Sequence, residues 1–253
     1  MPDAARGIDP QPRCGFRYAP DMSDLTVGVL IFPGVQQLDA TGPYEVFASL
    51  PGVGVRLIAA DLAPVRSATG LRLTPDTLFD DCPPLDVICV PGGSGVNELM
   101  RDNRVLDFLR NQAEAARFVT SVCTGALVLA AAGLLDGRRA TTHWASHDLL
   151  SGLGAVPTRG RVVRDGNYLT GGGVTAGIDL ALTVAAELLG RAAAEAVQLE
   201  LEYAPAPPLA AGDPEAASPE VVAEVRRRNA ADRAEREAIV ASLRRRGTPP
   251  HAK

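Results

Sequence analysis

Three stretches of the chain, residues 25–32, 87–90 and 118–122, are apolar almost without interruption, and residues 53–60 are nearly so. A strand with one wet face alternates polar and apolar positions. Unbroken runs of this length instead predict strands of a parallel sheet, buried on both faces. Helical patterns lie between and after them. Residues 41–49 predict a helix with Pro43 in its first turn, and residues 105–116 an amphipathic one. Small residues over 125–132 predict a helix ending at Gly133, followed by a short helix over 145–150. Residues 161–164 and 167–170 flank Asp165-Gly166, the signature of a tight hairpin. Residues 71–73 read as an edge or hairpin piece, and helices follow over 175–189 and 192–203. Strands alternating with helices in this way imply an α/β protein with a doubly wound, mainly parallel sheet.

Both ends depart from this pattern. Residues 1–24 hold Pro, Gly and Asp but no apolar period and no signal-peptide h-region, so a disordered extension is expected, with Met22 as a second candidate start. Residues 204–219 are rich in Pro, Ala and Gly and predict an extended arm. Residues 221–246 read as one charged helix whose few apolar positions, Val221, Val225, Ile239 and Leu243, form no continuous stripe. A solvated or partner-docked helix is the expectation there. The division is therefore an extension over 1–24, one α/β domain over 25–203, and an arm with a charged helix over 204–253.

Composition narrows the function. At 253 residues, 46% hydrophobic and 22% charged, the chain suffices for a large globular core. A net charge of −5 argues against nucleic acid as a partner, and no apolar run reaches the roughly 18 to 20 residues of a membrane span. Four cysteines (Cys14, Cys82, Cys89, Cys123) lack metal spacing and are too sparse for a disulfide framework, as in a protein of a reducing compartment. Neither a dinucleotide fingerprint nor a phosphate-binding P-loop is present, and His143 and His147 straddle a predicted strand-to-helix transition, which disfavours a metal pair.

The candidate chemistry sits at strand ends. The strand over 118–122 meets Cys123-Thr124-Gly125 and then a helix, with no linker between. That forces a tight elbow, needs Gly125 where a side chain would crowd the bend, and lifts Cys123 clear of the sheet at a helix N-terminus, a position favouring a thiolate. The alternative is a small buried hydrophobe. Asp39 follows the first strand, at the sheet edge where α/β proteins bind ligands; it equally suits a helix N-cap. Pro91-Gly92-Gly93-Ser94-Gly95 follows a third strand and suits either an oxyanion-binding turn or a tight connection.

Five segments, taken in order, resemble the isonitrile hydratases of the PfpI-type branch of the class I glutamine-amidotransferase-like superfamily. They are LDATGPYEVF (38–47), VPGG (90–93), SVCTGA (121–126), ATTHW (140–144) and TGGGVTAGID (170–179), and the likeness runs over about 25–208. It implies a single-domain three-layer sandwich with a flavodoxin-like sheet and a cysteine nucleophile elbow. The implied reaction is cofactor-free, metal-free hydration of a small isonitrile to an N-substituted formamide, by a cytoplasmic homodimer. Cys123 would be the nucleophile, Asp39 the proton donor and later the base for water, and Thr124 a partner of the sulfur or the water. Amides of the Gly92–Gly93 turn and of Thr124 would hold developing negative charge. His143 and Trp144 would wall the pocket or pack the core, and Cys82 and Cys89 would be structural. PfpI-type proteases carry His directly after the nucleophile, where this chain has Thr124. Two alternatives remain. One is a glyoxalase or deglycase of the same fold, whose acid is often Glu in the place of Asp39. The other is a ligand-sensing domain of the kind fused to helix-turn-helix modules, for which only 45 residues follow Pro208.

Overall fold

The computed structural model describes residues 25–246; the expected disordered extension, its two candidate starts, Cys14 and His251 lie outside the described residues. A seven-stranded sheet runs in the order Val162–Asp165, Tyr168–Gly171, Phe118–Val122, Val87–Val90, Leu25–Leu30, Val53–Ala59, Thr77–Leu78. Every neighbouring pair is parallel except the edge hairpin Val162–Asp165/Tyr168–Gly171. The unbroken apolar runs occupy its centre, where each residue of Val87–Val90 and Phe118–Val122 is buried. Val53–Ala59 is buried only at Ile58 and Ala59, where Thr77–Leu78 covers it.

The helices are α1 (Gln37–Ala48), α2 (Val96–Leu99), α3 (Asn103–Ala113), α4 (Gly125–Ala131), α5 (Ala176–Leu189), α6 (Arg191–Glu200), α7 (Pro219–Arg228) and α8 (Ala230–Arg246), with a 3-10 helix over Trp144–Leu153. α1 and α5 pack on each other and on the sheet, with α6 outside α5. α4 packs on Phe118–Val122 and Val87–Val90, with α2, α3 and the 3-10 helix around it. The result is the expected α/β sandwich. None of the described helices is long and apolar enough to cross a membrane.

Four local expectations change. The first helix starts at Gln37, not residue 41, because the turn before it is tied across the sheet edge: the Gln36 amide donates to the Gly92 carbonyl at 2.8 Å. Pro43 therefore sits in the helix interior. In the edge hairpin Asp165 pairs with Tyr168, so the loop residues are Gly166 and Asn167, and only Gly166 has positive φ (64°). That fits a turn with glycine at its first central position rather than an Asp-Gly turn. The short helix expected over 145–150 is a ten-residue 3-10 helix. The charged C-terminal segment is two helices broken at Asn229, and it is docked rather than solvated: Ile239 and Val240 are buried, and α8 packs on the 3-10 helix and α2.

The chain winds outward from Leu25–Leu30 to Val53–Ala59 and Thr77–Leu78, then returns to the other side of Leu25–Leu30 with Val87–Val90. Asp39, Gly92–Gly93 and Cys123 follow three adjacent strands on either side of that reversal. The carboxyl ends of strands at such a switch point form a crevice.

Candidate active site

The elbow begins with backbone strain. Cys123 has φ of 56°, and among the described residues only Glu202 is another non-glycine with positive φ. Such a conformation costs roughly 1–2 kcal/mol for an L-residue. It is held from both sides: the Cys123 amide donates to the Gly171 carbonyl at 3.0 Å, and the Thr142 hydroxyl donates to the Cys123 carbonyl at 2.7 Å. A Cβ on Gly125 would lie 2.0 Å from the Val90 carbonyl oxygen, so the next strand end dictates the glycine.

Asp39 lies in the first turn of α1, fully buried, and does not cap the helix; the N-cap position is Gln36, which makes no side-chain cap bond. Its Oδ2 accepts the Gly92 amide at 2.9 Å. Its Oδ1 is buried without a hydrogen-bond partner, and the carboxyl lies close enough to the Cys123 thiol for the two groups to shift each other. Burial pushes the Asp39 carboxyl up to about 7, against smaller opposing effects of the Gly92 amide and the thiol. Burial also pushes the Cys123 thiol well up, and the Asp39 charge adds to this; the Thr124 amide and hydroxyl pull weakly the other way.

The expectation of a thiolate favoured by the helix N-terminus is therefore reversed for the resting site. A helix dipole contributes about 0.3–1 kcal/mol, less than one pKa unit, whereas full burial shifts a group by up to about 3–5 units. Cys123 rests as a thiol, beside a carboxyl whose own proton affinity lies near neutral pH.

Thr124 and the glycine turn form one unit. The Gly93 amide donates to Thr124 Oγ1 at 3.1 Å, which leaves the hydroxyl proton to turn toward the sulfur or toward the Gly93 carbonyl at 3.5 Å. The amides of Gly92 and Gly93 are thus taken by Asp39 and Thr124 rather than free for an oxyanion; of the amides named from sequence, the one facing the sulfur is that of Thr124. Gly93 has φ of 133°, and a Cβ there would stand 2.2 Å from the Gly34 carbonyl oxygen.

A cavity of about 350 Å³ opens over Cys123, with Gln36, Gly93, Thr124, His143, Ser146 and Val174 among its walls. His143 precedes the 3-10 helix, and its Nδ1 accepts the Ala145 amide at 3.3 Å. Burial, aided by the Arg236 charge, lowers its pKa, so the ring is neutral with its proton on Nε2. Trp144 is not in the cavity wall; it packs against His143 and beneath the Arg226 guanidinium. Cys89 is buried in its strand with its thiol pushed up to about 12, and Cys82 is half-buried at about 11, in both cases mainly by burial.

Two contributions were not visible in the sequence pattern. Thr142 lies in the ATTHW segment, where His143 and Trp144 drew attention, yet it is Thr142 that grips the Cys123 backbone. The remaining cavity wall comes from the C-terminal helices: Val225, Asn229, Asp232, Arg233 and Arg236. Arg233 anchors α8, donating from Nη1 and Nη2 to the Asp148 carboxylate at 2.8 and 2.6 Å and from Nη1 to the Ala145 carbonyl at 2.6 Å. A larger groove of about 860 Å³ between the arm and α7 has no titratable nucleophile in its wall.

Residues 25–187 match the DJ-1/PfpI family. The chain belongs to that family. It is 65% identical over 206 residues to an isonitrile hydratase of Pseudomonas putida, covering 81% of this chain and 90% of the relative. A crystal structure of a THiJ/PfpI family protein from Pseudomonas syringae superposes with a TM-score of 0.83 at 39% identity, covering 91% of this chain and 98% of that one. The HTH-type transcriptional regulator GbdR of Pseudomonas aeruginosa is 31% identical over 201 residues, which is 76% of this chain and 50% of the regulator.

Proposed function

We propose that the protein is an isonitrile hydratase, a hydro-lyase that converts R–N≡C and water to R–NH–CHO with Cys123 as nucleophile. The observation that carries the reading is the 65% identity to the Pseudomonas putida isonitrile hydratase over nearly the whole of that protein. The pairing of a buried thiol with a carboxyl near pH 7 supports the chemistry.

The terminal isonitrile carbon bears a lone pair and accepts both a nucleophile and a proton. Asp39 Oδ1 takes the thiol proton as sulfur bonds to that carbon, then passes the proton to the same carbon, giving the thioimidate R–N=CH–S–Cys123. A group whose proton affinity lies near ambient pH suits both halves of such a transfer. Asp39, again a carboxylate, removes a proton from water as the oxygen attacks the carbon and delivers it to nitrogen, forming R–NH–CH(OH)–S–Cys123. Loss of the hydroxyl proton through Asp39 to sulfur breaks the C–S bond and releases the formamide and the thiol. The Thr124 amide and hydroxyl stabilise charge on sulfur, and neutral His143 walls the cavity without transferring a proton.

No cofactor or metal enters this sequence. We read the enzyme as a homodimer, the expectation set by its resemblance to the hydratases. The unpaired Cys82, Cys89 and Cys123 support a reducing cytoplasm. The function is tested by following formamide from an aryl isocyanide with wild type, Cys123→Ala and Asp39→Ala. Turnover is expected from wild type alone. No formamide from wild type removes the hydratase reading, and undiminished turnover by Cys123→Ala removes the nucleophile. Light scattering at monomer mass removes the dimer.

A further inference from the structure

Arg236 is the one buried arginine among the described residues, 7% exposed, and it stands in the wall of the Cys123 cavity. Its bonds are to neutral groups: Nε donates to Asn97 Oδ1 at 3.0 Å and Nη1 to Ser146 Oγ at 3.1 Å. No carboxylate lies within 4 Å of its guanidinium among the described residues, and no hydrogen bond engages Nη2. Its neighbour Arg233, one turn earlier and more exposed, is by contrast paired with both Asp148 and Glu237.

A buried guanidinium without a counter-charge destabilises a fold unless something else supplies the negative charge. The carboxylates nearby do not supply it by contact. Asp232, on the same wall, acts on Arg236 only through its field, and Glu235 is held away by Arg101 at 2.9 Å and the Asn97 amide at 3.0 Å. Cys123 rests as a neutral thiol, and Asp39 is engaged by the Gly92 amide. Asn97 and Ser146 hold Nε and Nη1 of the guanidinium, and the residue lines the cavity. A fixed planar fork in a cavity wall is the arrangement that recognises a carboxylate. At about 350 Å³ the cavity is at the small end for ligand sites, so the anion and the reacting carbon belong to one short molecule.

We propose that Arg236, carried in by the C-terminal helix, is an anion subsite that selects isonitriles bearing a carboxylate a few bonds from the isonitrile carbon. This inference deepens the hydratase reading and rests on it. In the resting site the cation lacks a carboxylate in contact; in the complex the substrate carboxylate supplies it while the isonitrile carbon reaches Cys123.

The test compares kcat/KM for isocyanoacetate and for its neutral methyl ester, in wild type, Arg236→Gln and Arg236→Lys. Wild type should favour the carboxylate. The carboxylate-to-ester ratio should fall about 10- to 100-fold in Arg236→Gln, the range for a hydrogen bond to a charged group, and be partly kept in Arg236→Lys. A wild-type ratio at or below one overturns the proposal. So does a ratio that Arg236→Gln leaves unchanged, since a merely structural arginine would lower both rates together. Calorimetric binding of N-formylglycine and its methyl ester to Cys123→Ala separates this from the function itself. Preference for the free acid that vanishes when Arg236→Gln is added supports the subsite even if no isonitrile is hydrated; equal binding overturns it.

Discussion

Asp39→Asn isolates the cost of keeping a carboxyl dry for the sake of the cysteine. The native carboxyl ionises at about 7 against an ordinary 3.8 in the unfolded chain. Below 3.8 both states hold the proton. Between 3.8 and about 7 the unfolded chain releases it and the native chain does not, so stability falls as pH rises, and above about 7 the loss is complete. A difference of about 3 pH units at about 1.4 kcal/mol each is a loss of about 4 kcal/mol, of which about 3 falls between pH 5 and pH 8. Asparagine keeps the size and an acceptor for the Gly92 amide but has no proton to exchange. Urea unfolding of both proteins at pH 5 and pH 8 gives two stability differences, in which every other titrating group cancels. The variant should gain about 3 kcal/mol on wild type between those conditions while losing hydration activity. A stability difference that stays level with pH would mean that Asp39 ionises near its ordinary value, and the proton relay assigned to it would fall.

The same pair sets the pH dependence of turnover. In the proposed mechanism protonation of Asp39 removes the acceptor for the thiol proton, so kcat/KM should fall as pH drops through about 7, and an acid limb near 4 in a rate profile would contradict this. Thr124→Val keeps the β-branched shape but strips the Gly93 amide of its acceptor, at a cost of about 1–3 kcal/mol in thermal stability, and should lower kcat about tenfold; Thr124→Ser should restore most of both, and unchanged kcat in the valine variant would remove Thr124 from the chemistry.

The central strands were legible because a parallel sheet covered on both faces leaves an uninterrupted apolar run, and Val87–Val90 and Phe118–Val122 appear where those runs stand. The elbow was legible for a similar reason: with only Cys123 and Thr124 between strand and helix, Cys123 has nowhere else to go. Helix ends were less so. The start of α1 moved to Gln37 because the Gln36 amide binds Gly92, a contact between residues far apart in the chain. The docking of α8 was hidden because the segment binds through Arg233 and Arg236 to Asp148, Asn97 and Ser146 as much as through Ile239 and Val240. A scan for an apolar stripe does not register the polar anchors.

Order along the chain fixed which residues stand at the strand ends, and so brought Asp39, Gly93 and Cys123 to one sheet edge. Local pattern carries that much because strand, turn and helix are decided by neighbours. What the groups are worth once there was decided only by tertiary structure. Burial turned an expected thiolate into a thiol and an ordinary aspartate into a carboxyl that titrates near neutrality. The fold also spent the Gly92 and Gly93 amides on Asp39 and Thr124, and completed the cavity wall with a cation from more than a hundred residues downstream of Cys123. Solvent exclusion and charge proximity are properties of the packed chain, and no spacing of residues expresses them.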